Sequence, residues 1–303
     1  MNKNNLTLYP GRRSVVLILA AIGILGAAGC ATVTSEGPMT KEKVFAVTTS
    51  NQLISFNAGQ PGRLLSTQAL SGMQANEKVF GIDYRVAKGQ LYALGSSSRL
   101  YRIDTSTGVA IQIGSGSFAV PLDGTEFGFD FNPTVDRIRV VSDRGQNMRL
   151  HPETGAVIDT DPVKEGVQID GPLMYATGDV NFGKVPGLVA AAYTYDKNDE
   201  KLTTNFAIDG RYGMLVTQGT REGKAPAVSP NTGQLYSVGS LGIGSFAHAS
   251  FDIADVSNAA FIAVNNPDSP ASQWYRVNLE TGKAERIGAI GGGAGVVGIA
   301  IEP

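Results

Sequence analysis

Three aspartates are spaced so that they could share one ion. Asp83 lies in GIDYRVAKGQLYALGSSSRLYRIDTSTG (residues 81–108), Asp130 in GFDFNPTVDRIRVVSDRGQNMRLHPETG (residues 128–155), and Asp252 in FAHASFDI (residues 246–253). Carboxylates are hard oxygen donors, so three of them on equivalent strands near one axis would suit a divalent cation, calcium for preference, or acid–base chemistry in a central funnel. The competing reading is structural: each aspartate accepts hydrogen bonds from backbone amides of its own or the adjacent repeat and so holds the repeats together. Ala300, in VGIAI of residues 297–301, stands where a fourth aspartate would be.

The elements that must position these carboxylates follow from the repeat. The two long strings align at a constant offset of 47 residues without a gap, pairing Gly81 with Gly128, Asp83 with Asp130, Arg102 with Arg149 and Gly108 with Gly155. Apolar residues fall in step, Ile82 with Phe129 and Leu91 with Ile138 among them. A third copy of the turn-bearing strand pair is WYRVNLETGKAERIG (residues 274–288), identical to residues 100–114 at seven of fifteen positions. A period of about 40–50 residues built from short strands is the mark of propeller blades. The expected fold is an all-β propeller of about five four-stranded blades. Its first blade is completed by the C-terminal strand, which pairs with the N-terminal strands and leaves no open sheet edge at the seam. Six blades are the alternative, if residues 229–251 form a sheet of their own. Strands are expected at 79–85, 189–195 and 246–253 to open blades two, four and five, the third blade at 126–160 repeats the second, and residues 161–186 read as loop around one short strand near 173–177.

Composition agrees with a turn-rich chain. Of 303 residues, 38 are Gly and 14 are Pro, and only 17% are charged. Residues 1–29 read as a lipoprotein-type signal peptide: Lys3, Arg12 and Arg13 precede an uncharged run that ends in LGAAGC at Cys30. The run is short for a membrane span, and Cys30 is the expected site of lipidation. Several acyl chains on that cysteine would hold the protein at a bilayer surface. Residues 30–43 read as a tether and 44–303 as one propeller domain. The expected location is exported and lipid-anchored at the cell envelope, at the outer membrane in a Gram-negative cell because Ala31, not aspartate, follows the cysteine. With a single Cys, no disulfide staples the exported part. Removing the signal takes three of the 25 basic residues and none of the 27 acidic ones. The resulting mildly acidic surface is no footprint for nucleic acid.

The strings at 81–96, 99–108 and 128–157, and the run FNPTVDR at 131–137 above all, resemble the bacterial family known as domain of unknown function 4394. The resemblance covers roughly residues 44–301 and implies an exported, propeller-like β domain of the envelope, with no catalytic residue to carry over. The chain departs from it at KLTTNFAIDG (residues 201–210), in the fourth blade.

Other constellations have quieter readings. The two histidines, His151 and His248, are too few for a His-rich zinc site. His151 is expected at a solvent-facing turn and His248 as a hydrogen-bonded histidine within an inner strand. Arg137, Arg139, Arg144 and Arg149 alternate with Asp136 and Asp143, a pattern of salt-linked strand neighbours, although guanidinium forks would also suit an anion or a glycan carboxylate. Asp159, Asp161, Glu165 and Asp170 read as a solvated loop, since they lack the glycine and final glutamate of an EF-hand. Trp274 is placed by its repeat position in inter-blade packing rather than on a sugar. The expected function is therefore a non-catalytic binding or scaffold propeller for a protein or glycan. The alternative is a metal-assisted, lactonase-like hydrolase or lyase whose cation sits on Asp83, Asp130 and Asp252.

Overall fold

The computed structural model describes residues 37–196, 198, 199 and 201–303, with Met1 and Gly11 besides. The expected signal peptide apart from Met1 and Gly11, the lipidation site Cys30 and the first part of the tether lie outside the described residues. Among the described residues no helix is long and apolar enough to cross a membrane.

From Lys43 onward the chain is a succession of small sheets, antiparallel but for one strand pair. Blade one opens with β1 (Lys43–Thr48), β2 (Gln52–Asn57) and β3 (Gln60–Ala69). Blade two is β4 (Val79–Arg85), β5 (Gln90–Gly95), β6 (Arg99–Ile103) and β7 (Ala110–Ile113). Blade three has β8 (Phe127–Asn132), β9 (Arg137–Ser142) and β10 (Asn147–Leu150). Blade four comprises β11 (Met174–Tyr175), β12 (Leu188–Tyr193), β13 (Asn205–Asp209), β14 (Met214–Gln218) and β15 (Gln234–Ser240). Blade five is β16 (Ala249–Ile253), β17 (Ala260–Val264), β18 (Gln273–Val277) and β19 (Ala284–Ala289). The last strand, β20 (Val296–Ile301), returns to blade one and pairs antiparallel with β1, Phe45 opposite Ala300. The ring is thus closed by the C-terminal strand, as the sequence predicts.

One local device recurs because the same residues recur. Asp104 Oδ1 accepts the N–H groups of Ser106 and Thr107 at 2.8 and 3.2 Å. Asn278 Oδ1 does the same for Glu280 and Thr281 at 2.9 and 3.0 Å. Each side chain mimics a backbone turn, and the glycine that follows takes the left-handed conformation that spares it a Cβ. Gly108 has φ +75°, and a Cβ there would stand 2.5 Å from the carbonyl oxygen of Ala69. His151 heads the third copy, its Nδ1 accepting from Glu153 N–H at 3.2 Å, so it sits at a turn.

Two expectations are corrected. The six-blade alternative is not supported: β15 pairs with β14 in blade four and β16 with β17 in blade five, so residues 229–251 make no sheet of their own. Nor are all blades four-stranded. Blade three has three ladder strands and, beyond them, only an isolated bridge between Leu150 and Val157. Its outer strand fails because the residues after the turn run into Asp159-Thr160-Asp161-Pro162, where proline and aspartate stop ladder pairing. Blade four gains a fifth strand, β11, parallel to β15.

The inner strands β20, β4, β8, β12 and β16 stand in cyclic order, each packed on the next. The core is a set of apolar layers between neighbouring blades. Four of these layers hold twelve to fourteen buried residues among the described ones, whereas the layer between blades three and four holds eight. Trp274 lies fully buried in the layer between blades five and one, its rings stacked on Phe261 at 5.2 Å and its indole N–H donated to Ala58 O at 2.9 Å.

Candidate functional site

The inner strands run side by side with their residues in register, so every second residue of each strand meets the axis in the same layer. Asp83, Asp130 and Asp252 occupy one such layer with Ala192 and Ala300. This is seen in their hydrogen bonds, each of which reaches the residue after the equivalent position on the next inner strand. Asp83 Oδ2 accepts from Phe131 N–H at 2.7 Å, Asp130 Oδ1 from Tyr193 N–H at 3.0 Å, and Asp252 Oδ2 from Ile301 N–H at 2.6 Å. Asp252 Oδ1 also accepts from Ile253 N–H at 2.6 Å. The aspartates therefore clip three of the five blade junctions, as the structural reading expects.

The same side chains converge. One oxygen from each of Asp83, Asp130 and Asp252 lies within 4.8 Å of the others, and all three residues are buried. Two oxygens bound to one calcium at about 2.4 Å can stand no more than about 4.8 Å apart, so each pair of the triad lies within the outer limit for sharing one calcium. The amide bonds do not preclude it, because each carboxylate oxygen has a second lone pair. Burial, and then neighbouring carboxylates, push all three groups well above the ordinary carboxylate range. Asp255, beyond the end of β16, adds to that repulsion, and its own burial pushes it up to about 6. Three carboxylates this close and this dry must hold protons or a cation.

Toward the N-terminal ends of the inner strands the layer two residues back is made of small residues: Gly81, Gly128, Ala190, Ser250 and Gly298 line a void of about 10 Å³. The glycines let the strands approach. A Cβ at Gly128 would come within 2.6 Å of Ala191 N, and one at Gly81 within 2.8 Å of Phe129 Cβ. Above this constriction the ring opens into a funnel of about 550 Å³. Its wall offers the side chains of Asn51, Asn76 and Asn265, the stacked rings of Phe80 and Phe127 at 5.0 Å, and Glu126 joined to His248. Burial pushes Glu126 upward, against the lowering effect of His248. His248 is not within a strand: β16 begins at Ala249, three residues later than expected, and the ring is exposed beside Glu126.

The arginine-rich stretch separates by partner. Arg144 is exposed and meets Asp123, while Asp136 binds Arg85 of blade two rather than an arginine of its own blade. Arg139 and Arg149 both bind Asp170, which is buried and does not belong with the exposed Asp159 and Glu165 and the half-buried Asp161. The sequence reading misses this trio and the Glu126–His248 pair. The available signal is the offset of 47, which sets Arg139 against Tyr92.

Among solved structures, the chain is similar to one in the crystal structure of a nidogen/laminin complex, at 9% identity and a TM-score of 0.46 over 86% of this chain and 98% of that one. It is also similar to a protein of unknown function from Bacteroides thetaiotaomicron, at 15% identity and a TM-score of 0.43, covering 80% of this chain and 56% of that one. A third similarity is to hydrazine synthase of Kuenenia stuttgartiensis, at 9% identity and a TM-score of 0.37, over 76% and 53% of the two chains. No curated protein matches the chain. The model of the family described as Domain of unknown function (DUF4394) matches residues 52–300, and the chain belongs to that family.

Proposed function

We propose that the protein is a non-catalytic binding propeller of the cell envelope, exported and lipid-anchored through Cys30, which takes a glycan in the funnel over the axis. The observation that carries this reading is the funnel's make-up: three lining asparagines, a carboxylate–imidazole pair, and the stacked Phe80 and Phe127 in one concavity of about 550 Å³. Amides and carboxylates bind sugar hydroxyls, and aromatic faces bind the C–H faces of the rings, within a volume typical of small-molecule sites. The enzyme alternative asks for a cation that meets substrate in that funnel. The aspartates lie beneath the constriction and are less than a tenth exposed, which favours binding over turnover. The test is a glycan array probed with the full chain in detergent and with Phe80→Ala and Glu126→Gln. Glycans retained by the parent and lost by both variants support the reading. An array with no hits, or hits indifferent to both substitutions, overturns it.

A second reading concerns the triad. We infer that Asp83, Asp130 and Asp252 hold one calcium ion that ties blades two, three and five together, favoured by the convergence of their oxygens within 4.8 Å. Native mass spectrometry of chain purified without chelator should then show one stoichiometric calcium, lost in Asp130→Ala. Metal-free protein that stays folded would leave the aspartates as blade clips alone.

A further inference from the structure

Across each blade the residue on the second strand opposite the axial layer is the one that packs on the next blade. In blades one, two, four and five that residue is Phe45, Tyr92, Phe206 and Phe261, opposite Ala300, Asp83, Ala192 and Asp252. All four are buried aromatics, and Phe45 and Tyr92 pack edge-on against Tyr84 and Phe131 of the following blade. In blade three the residue opposite Asp130 is Arg139, 2% exposed. Its register partner on the far side is Arg149, a like charge directly across the ladder. An aromatic would cost less here on both counts, since a guanidinium loses its water on burial and facing like charges repel. A local rule broken at one place in a repeat is where a functional site is expected.

The surroundings are built to hold these cations. Arg139 donates from Nε to the Tyr193 hydroxyl at 3.2 Å, from Nη1 to Asn147 Oδ1 at 2.8 Å and to Asp170, and from Nη2 to Asn231 Oδ1 at 2.6 Å. Arg149 makes a two-pronged bond to Asp170, 2.9 Å in each prong. Asn147 is itself fixed by Gln218 at 2.9 Å and by Gly171 O at 2.9 Å. One carboxylate thus serves two guanidiniums. The third, Arg137, finds only backbone carbonyls, that of Asp136 at 2.8 Å being the nearer. Among the described residues, Arg149 Nη1 and Arg137 Nε and Nη2 donate to nothing, though each is a hydrogen-bond donor.

All three arginines line one cleft of about 400 Å³, at the end of the inner strands opposite the funnel, where the missing fourth strand of blade three leaves room. None of its lining residues is acidic, and Asn132, Tyr193 and Ser229 supply neutral hydrogen-bonding groups beside the cations. We propose that this cleft is an anion site, in which Arg137 and Arg149 grip the carboxylate or phosphate of a small hydroxylated molecule while Arg139 is the fixed positive charge behind them. Planar guanidiniums pair with either oxyanion in two-pronged fashion, and the amide and hydroxyl groups fit the molecule's own hydroxyls.

Isothermal titration calorimetry of the full chain in detergent, with glucuronate, glucose 6-phosphate and glucose at constant ionic strength, tests it. One of the two anions should bind and glucose should not, and which anion binds separates carboxylate from phosphate. Binding should weaken at least about tenfold in Arg137→Gln and in Arg149→Gln, the loss of a charge-assisted hydrogen bond. Arg137→Gln, which breaks no side-chain pair, should melt as the parent does. The proposal fails if neither anion binds at millimolar concentration, if glucose binds as well, or if Arg137→Gln binds like the parent. Anion binding that survives Arg137→Gln and is lost in Glu126→Gln would place the ligand in the funnel, overturning this site and leaving the funnel reading intact.

Discussion

Blades two and three follow one pattern of glycines, aspartate and apolar residues, 47 residues apart, yet they meet their neighbours in different ways. Blade two has four strands and turns Tyr92 edge-on to Phe131 at 5.1 Å within an apolar layer. Blade three stops at three ladder strands and turns Arg139 toward Tyr193 amid a hydrogen-bonded polar cluster. The inner strands barely differ, so the axis and its aspartate layer are kept. The divergence lies farther out, where losing the outer strand opens a cleft and a charged residue becomes tolerable because Asp170 and three polar side chains meet it. The repeat constrains the axis and leaves the blade flanks free to specialise.

The comparison breaks most visibly if the two positions are exchanged. Tyr92→Arg would place an unpaired guanidinium in an apolar layer and should cost about 3–5 kcal/mol in urea unfolding, as an uncompensated buried charge does. Removing the fully buried pair of blade three, by Arg139→Tyr with Asp170→Asn, should cost much less than Tyr92→Arg, because a buried ion pair replaced by packed neutral groups is often near neutral. Arg149, which also loses Asp170, has a side chain 21% exposed and so keeps water. If the double variant were as damaging as Tyr92→Arg, the polar cluster would be a stabilising core rather than a site kept against stability.

The axial layer, shared by both blades, predicts a pH effect of known sign. An aspartate with a raised folded pKa binds its proton more tightly in the folded state. Its stabilising effect is therefore full below the unfolded value of about 3.9 and lost as pH rises through the folded value. In chelator, the melting temperature should fall as pH rises from about 4, through the Asp255 value of about 6 and wherever the triad ionises. Asp130→Asn, which keeps an acceptor for Tyr193 N–H and removes a charge, should flatten the fall. Calcium should also abolish it if the triad binds the ion. A melting curve independent of pH in chelator would mean that these carboxylates do not share a dry, crowded layer.

Much of this was legible in the chain. The offset between residues 81–108 and 128–155, with the strand-like VGIAI at the end, carries the blade pattern, the closure and the shared place of Asp83, Asp130 and Asp252. What was hidden depends on contacts between residues with no common period. Asp170 is 31 positions from Arg139 on an irregular segment, and Asn231 is 92 positions away. Nothing in either local string announces the meeting. The pattern of alternating charges at 136–149 pointed to pairs within the blade, because sequence spacing cannot distinguish a buried arginine from an exposed one.

A smaller test separates glycines that the ring needs from those that it tolerates. Gly128→Ala would drive a Cβ to within 2.6 Å of the backbone of Ala191 in the next blade, and backbone cannot step aside cheaply. The expected loss is about 1–3 kcal/mol, the usual cost of overpacking. Gly116, after the last strand of blade two, has nothing within 4 Å of the same atom, so Gly116→Ala should be neutral or slightly stabilising by restricting the unfolded chain. Equal losses at both would mean that the inner strands have room to spread, and the narrow axis would lose its role as a partition.

The smallest effect expected is also the sharpest check on how the arginines of blade three were sorted. Arg144 and Asp123 meet at 3.3 Å with side chains 63% and 65% exposed, whereas Arg139 and Asp170 meet at 3% and 1%. Water and salt screen the first pair, and holding two long side chains together offsets what attraction is left, so Arg144→Gln should change unfolding by less than about 0.5 kcal/mol and leave anion binding untouched. Arg137, Arg139, Arg144 and Arg149 look alike in the sequence, and only burial and partners assign three of them to one cleft. If Arg144→Gln weakened the anion as Arg137→Gln does, the effect would be the general field of a basic blade, and the cleft would have no special claim to the ligand.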